Sequence, residues 1–143
     1  YRMLNIVAAL GASQLRRIGE VVSKKKRIHQ KYKELVTGIH GLDLITETRE
    51  NSEPNYWLNL LSVEKWRKKG VDFDLFVKKM HSVGIGVRPF WQPLSMVPFL
   101  KSSPRSNLEV SLDIWSSSIL IPSGANLEPI QQDRVIEMLS SLI

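Results

Sequence analysis

Seven consecutive residues, Arg88-Pro89-Phe90-Trp91-Gln92-Pro93-Leu94, place a guanidinium, two aromatic rings and two prolines in one stiff stretch. A guanidinium grips a phosphate through parallel N–H···O bonds, and aromatic faces stack on sugar rings and nucleobases. If exposed, Arg88, Phe90 and Trp91 suit such a ligand; the alternative is that the two rings fill core space. Arg2 stands at the start of a helical pattern, where it opposes the helix dipole. It is tolerable there if it serves an anion, which a helix start also attracts; otherwise it belongs to a frayed end.

Other reactive side chains are arranged for bland roles. His29, His40 and His81 are far apart and lack acidic partners at ligand spacing, so they are expected at the surface or at helix ends and no metal site is expected. Gly84-Ile85-Gly86 reads as a helix stop, not a phosphate loop. Ser123 precedes a glycine without the pattern of a nucleophile elbow. Asp72 and Asp74, at i and i+2, suit helix capping and not paired acid–base work.

The elements that must position these residues follow from periodicity. Residues 2–36 read as one long helix, with Leu15, Ile18 and Val22 on one face and Ile28, Tyr32 and Leu35 repeating the spacing. At 1.5 Å per residue such a helix spans about 50 Å, more than one small domain covers. It is expected to kink near Gly11 or Gly19, or to pack its first half on something else. Lys24-Lys25-Lys26-Arg27 cover most of its circumference, so at least one long stem must lie along the apolar line and carry its charge outward.

Residues 42–48 and 55–63 read as strands, with a turn at Asn51-Ser52-Glu53-Pro54. Asp72 or Asp74 caps a helix that buries Phe73, Phe76, Val77, Met80 and Val83 and stops at Gly84. Residues 85–88 return as a strand, and the prolines at 89, 93 and 98 make a loop of residues 89–98. Asn107 caps a helix carrying Leu108, Leu112 and Trp115 on one side. Residues 118–121 form a buried strand, and Pro122-Ser123-Gly124 turns the chain. Pro129 opens a last helix with Ile130, Val135, Leu139 and Leu142 inward. The order α-β-β-α-β-α-β-α implies an α+β fold: a small, mostly antiparallel sheet with helices on one face, preceded by a long helix.

The bulk numbers bound the function. The chain has 143 residues, 43% of them hydrophobic, enough for one domain with a core. It has no cysteine, which excludes disulfides and thiolate-bound metals and suits a cytoplasmic location. No apolar run approaches the roughly 20 residues of a membrane span. The net charge of +6 is drawn largely from residues 24–27 and from Lys65, Arg67, Lys68 and Lys69. It fits a solvated basic face, and it leaves open a nucleic-acid-binding or protein-interaction module. Against nucleic acid, no aromatic interleaves with the helical cations and no nucleic-acid motif appears. The chain opens on Tyr1 and not on methionine, which reads as a missing N-terminal portion.

Three segments resemble the DegT/DnrJ/StrS family of sugar aminotransferases. Residues 1–15, Y-R-M-L-N-I-V-A-A-L-G-A-S-Q-L, follow the later part of the family's G-[YF]-N-x-R-M-x-x-[IL]-x-A-A-x-G-x-x-Q-L segment. Residues 84–94 look like the stretch before the family's P-L-H element, and residues 121–127 like its L-P-S-G-x-N-L turn. The resemblance covers the whole chain and only the C-terminal part of a family member.

It implies the C-terminal small domain of a fold-type-I enzyme, with residues 1–36 linking to a large domain and residues 37–143 forming the small one. In that family pyridoxal phosphate takes an amino group from a donor, typically glutamate, and passes it to a nucleotide-linked keto sugar for polysaccharide or glycan synthesis. The cofactor lysine is expected upstream of Tyr1, so no catalytic residue is assigned here and the isolated piece is expected to be inactive. Arg2 would lie near the cofactor phosphate at a site shared across a homodimer, and Arg88, Phe90 and Trp91 would border the sugar-nucleotide pocket. Ser95 replaces the family's histidine after P-L, and Glu128 is a poorer helix cap than the threonine common there. Asn55-Tyr56-Trp57-Leu58-Asn59 together with Arg88-Pro89-Phe90-Trp91 resembles the branch serving legionaminic-acid-type or perosamine-type sugars.

Overall fold

The computed structural model describes residues 2–46, 49–63, 70 and 72–142. The basic cluster at Lys65, Arg67, Lys68 and Lys69 lies outside them. The N-terminal helical pattern forms two helices, α1 (Asn5–Leu15) and α2 (Ile18–Val36). The break falls at Arg16 and Arg17, just ahead of Gly19; Gly11 and Gly19 themselves sit inside helices with open space where a Cβ would go. Arg17 leaves the helical region (φ −104°, ψ 4°), and its N–H tightens onto Gln14 O at 3.0 Å. α1 buries none of its residues among those described. α2 buries Ile28, His29, Tyr32 and Val36.

The remaining elements are β1 (Asp43–Leu44), β2 (Asn59–Ser62), α3 (Phe73–Ser82), β3 (Arg88–Pro89), α4 (Glu109–Ser117), β4 (Ser118–Ile121) and α5 (Pro129–Ser141). Two single 3-10 turns, Leu94–Met96 and Pro98–Leu100, interrupt the long connection after β3. The strands form one antiparallel sheet in the order β1-β2-β4-β3. Of its two inner strands, β4 is buried on both faces. Leu61, Val63, Ile119 and Ile121 meet Ile28, Tyr32 and Val36 of α2, Phe76 and Met80 of α3, and Val135, Ile136 and Leu139 of α5 in one core. The α+β fold with helices on one sheet face is therefore as the pattern implies.

α3 follows its sequence signals closely. Asp72 Oδ1 accepts the Leu75 N–H at 3.0 Å, so Asp72 is the cap. Gly84 takes the left-handed conformation (φ +78°), with its N–H on His81 O and the Ile85 N–H on Met80 O, both at 2.9 Å. That Schellman arrangement ends the helix and seats Ile85 over Met80.

Elsewhere strand lengths differ from expectation. β1 is two residues long, and of the expected strand residues 47 and 48 lie outside the described set. Residues 55–58 are a loop, because Tyr56 adopts φ +51° and the Trp57 N–H turns back onto Asn55 Oδ1 at 3.0 Å. The third strand is Arg88–Pro89, not residues 85–88, since the Ile85 and Val87 N–H groups bond locally. In α5, Ile130 is 73% exposed and Gln132 is buried in its stead, its Nε2 donating to Ile28 O at 2.8 Å. Glu128 does begin α5, its N–H donating to Gln131 Oε1 at 2.8 Å, half of a capping box.

Candidate functional site

The antiparallel register sets Arg88 opposite Leu120 and Pro89 opposite Ile119. Directly paired residues share a sheet face. Arg88 therefore lies on the face of Leu120 and Leu60, away from the helical core. Its side chain is exposed, and among the described residues no carboxylate pairs with it. Phe90 and Trp91 come directly after it. Their rings stack with centroids 6.3 Å apart and planes 16° apart, Phe90 half-buried and Trp91 58% exposed. Trp91 is not core filling.

Trp57 joins them from the β1–β2 connection, its ring 5.6 Å from Trp91 and tilted by 59°. The two indoles make a corner, too close for a third ring to slide between them. The left-handed backbone of Tyr56 costs on the order of 1–3 kcal/mol, and it turns Trp57 outward, where it is 60% exposed. The Tyr56 ring packs on His29 (centroids 4.3 Å) and helps to hold the bend. Sequence reasoning missed Trp57 as a site residue because the apolar run of residues 55–63 reads as a strand. The signal that could have found it is Pro54-Asn55, a turn former just ahead of two aromatics.

Beneath the corner runs a buried polar chain. His29 and Asn59 meet at Nδ1···Oδ1 2.7 Å; the Asn59 amide donates to Ser123 Oγ at 3.0 Å, and Ser123 Oγ–H donates to Ile121 O at 2.8 Å. His29 is thus interior, not at the surface or a helix end: it lies on the core face of α2, four residues from both Lys25 and Lys33. His81, in contrast, closes its helix end with Nε2 2.7 Å from Val87 O. Lys25 lays its stem along the same face of α2 and donates from Nζ to Ser123 O (2.7 Å) and Trp57 O (3.2 Å). Burial holds its ammonium pKa below the usual lysine value.

Two hollows flank this wall. The first, about 410 Å³, is lined by Lys25, Trp57, Gly86, Arg88, Trp91 and the 120–124 turn. The second, about 830 Å³, lies beyond Phe90 and Trp91 and is lined by residues 92–95, Leu100, Arg105, Leu108, Ser111 and Ile114. Ser95 lines the second hollow, and Arg105 is the cation there. Arg2 is exposed just before α1, whose first turn has no side-chain cap and no acidic residue. No described contact joins Arg2 to the Arg88 cleft.

The basic run of α2 is largely spent. Lys24 pairs with Glu20 at 2.8 Å and Lys26 with Glu53, and these hydrogen bonds hold both carboxylates below their ordinary pKa. Lys31 pairs with Asp133 of α5 at 2.7 Å. The helix therefore offers no continuous row of unpaired cations among the described residues. Those residues also contain no cluster of three or more metal-ligating side chains, and no helix long and apolar enough to cross a membrane.

The chain is 31% identical to EpsN of Bacillus subtilis (strain 168), named as a pyridoxal phosphate-dependent aminotransferase, over 99% of its own length and 36% of EpsN. It is 23% identical to GDP-perosamine synthase of Caulobacter vibrioides, over 100% of its own length and 38% of that protein. It superimposes on the crystal structure of Helicobacter pylori PseC, an aminotransferase of pseudaminic acid biosynthesis, with a TM-score of 0.83 at 17% identity, over 99% of the chain and 38% of PseC. The chain thus spans little more than a third of these relatives. The profile of the DegT/DnrJ/EryC1/StrS aminotransferase family matches residues 1–140, and the chain belongs to that family.

Proposed function

We propose that this chain is the small-domain part of a pyridoxal-phosphate-dependent aminotransferase acting on a nucleotide-linked keto sugar. The observation that carries the reading is Arg88: an exposed guanidinium without a described carboxylate partner, beside the Trp57–Trp91 corner. The guanidinium suits the diphosphate, and an indole face suits the ring stacked above it. GDP-perosamine synthase, by its name, makes a nucleotide-linked sugar. Glutamate or a similar amino acid is the donor, the product serves cell-surface polysaccharide or glycan synthesis, and the whole protein works in the cytoplasm as a homodimer. Residues 1–36 form the helical link to the rest of the protein, the second half of that link being docked on the sheet of residues 37–143.

Pyridoxal phosphate presents a phosphate, a pyridine ring and an aldehyde. Of these the phosphate has a match here: Arg2 beside the uncapped start of α1, where free N–H groups favour an anion. The aldehyde requires an amine, and the half-buried Lys25 already commits its ammonium to two carbonyl oxygens. By resemblance to the family pattern we place the cofactor lysine outside residues 1–143, and we give this chain a share in the phosphate site alone. When bound, the cofactor supplies the carrier for the amino group; Arg88, Phe90 and Trp91 orient the sugar nucleotide towards it.

The test uses the full-length protein. Borohydride reduction in the presence of pyridoxal phosphate, followed by peptide mapping, is expected to label one lysine outside residues 1–143. Loading with glutamate and mixing with a UDP-, GDP- or dTDP-linked keto sugar is expected to regenerate the starting cofactor spectrum. Stoichiometric label on a lysine of this chain, or no response to any keto sugar, would overturn the reading.

A further inference from the structure

The cleft at Arg88 is lined in part by a residue whose charge is already committed to the protein backbone. Lys25 sits one turn before His29 on the core face of α2. Its ammonium lies on two backbone carbonyls far away in sequence, Ser123 at 2.7 Å and Trp57 at 3.2 Å. Charged donors make the stronger class of hydrogen bond, so one side chain fastens the Trp57 loop and the 122–124 turn to the same point on a rigid helix. Neither segment is held there by strand pairing: β2 begins at Asn59 and β4 ends at Ile121.

The Trp57 loop needs such a fastening. Its backbone at Tyr56 is left-handed, and the indole it presents is largely exposed. From below, the loop is supported by the Tyr56 ring on His29. From the side, it is supported by the Lys25 bond to the carbonyl of Trp57 itself. With both in place the Trp57 indole stands 5.6 Å from Trp91, closing one side of the hollow that holds Arg88.

We propose that Lys25 is a positioning residue, clamping Trp57 and the Ser123 turn so that Trp57 serves as a second aromatic wall for the nucleoside diphosphate part of the substrate. The proposal rests on the reading of the Arg88 cleft given above and adds two residues to it. Lys25 acts through Trp57, its ammonium being committed to the two backbone carbonyls. Arg88 is the cation left to meet the phosphates, since the Lys25 ammonium is already engaged.

The test is titration of the full-length holoenzyme with UDP, GDP and dTDP, read by calorimetry and tryptophan fluorescence, and by KM and kcat with the sugar nucleotide. Lys25→Met keeps the stem and removes the ammonium; Trp57→Ala removes an exposed ring without touching the core. Both are expected to weaken binding of the preferred diphosphate and raise KM about tenfold, with kcat changed less than twofold. Lys25→Arg is expected to restore most of the binding.

If Arg88→Ala raises KM while Lys25→Met and Trp57→Ala leave KM and diphosphate binding unchanged, this inference falls and the cleft reading stands. If Arg88→Ala also has no effect, the cleft reading itself fails. If Lys25→Met misfolds, the Trp57→Ala result decides. An equal fall in kcat with KM unchanged in Trp57→Ala would also contradict the assignment.

Discussion

The Nδ1 atom of His29 lies 2.7 Å from Oδ1 of Asn59, and both residues are buried, at 8% and 1% exposure. The pair joins α2 to β2 and passes its order on to Ser123 through the Asn59 amide. Removing one partner strands the other away from water. His29→Leu or Asn59→Leu is expected to cost about 1–3 kcal/mol of stability. The double variant is expected to lose less than the sum of the singles. Urea denaturation of the four proteins checks this; strictly additive losses would show that the two groups do not interact.

Tyr32 offers the opposite case. It is fully buried, and its hydroxyl has no hydrogen-bond partner among the described residues. Burial pushes its pKa well above the usual tyrosine value. Tyr32→Phe is expected to leave thermal stability unchanged or to raise it, because an unsatisfied buried hydroxyl is removed. A loss above about 1 kcal/mol would mean that the hydroxyl holds a bond essential to the fold.

The same burial gives a pH dependence. A raised folded pKa means that the neutral hydroxyl is favoured in the native state. Its contribution to stability is fully present below the unfolded tyrosine value, about pH 10, and is lost as pH rises through the higher folded value. Tyrosinate absorbance of the wild type and of Tyr32→Phe is expected to coincide until the native protein opens. A separate Tyr32 titration near pH 10 in the folded protein would contradict the buried placement.

Core and cap substitutions should separate in size. Leu139 is wholly buried against the sheet, and Leu139→Ala is expected to cost about 2–5 kcal/mol. Asp72→Ala removes one side-chain cap from α3 and is expected to cost about 1 kcal/mol. Denaturant midpoints rank the two, and a larger loss for Asp72→Ala would reverse the account of where stability lies.

Local signals were legible where a helix carries its own instructions. Asp72, the Phe76–Met80 spacing and Gly84 together specify α3 from cap to stop. The buried strand at residues 118–121 was equally readable from its apolar run. What escaped depends on partners distant in sequence. Gln132 displaces Ile130 from the interior because Ile28 O awaits its amide, and His29 goes inside because Asn59 meets it. Arg88, Phe90 and Trp91 could be singled out by residue type, but Trp57 could not. Its exposure follows from a left-handed turn at Tyr56, which β-propensity does not anticipate.

The most direct measurement compares KM for the sugar nucleotide in the full-length wild type, Arg88→Ala and Arg88→Lys. A charge-assisted bond is worth about 1.5–3 kcal/mol. Arg88→Ala should therefore raise KM by roughly ten- to a hundredfold, and Arg88→Lys by less, since it keeps the charge but loses the two-pronged geometry. An unchanged KM in a folded, cofactor-loaded Arg88→Ala protein would contradict the placement of the nucleotide sugar beside Arg88, Phe90 and Trp91.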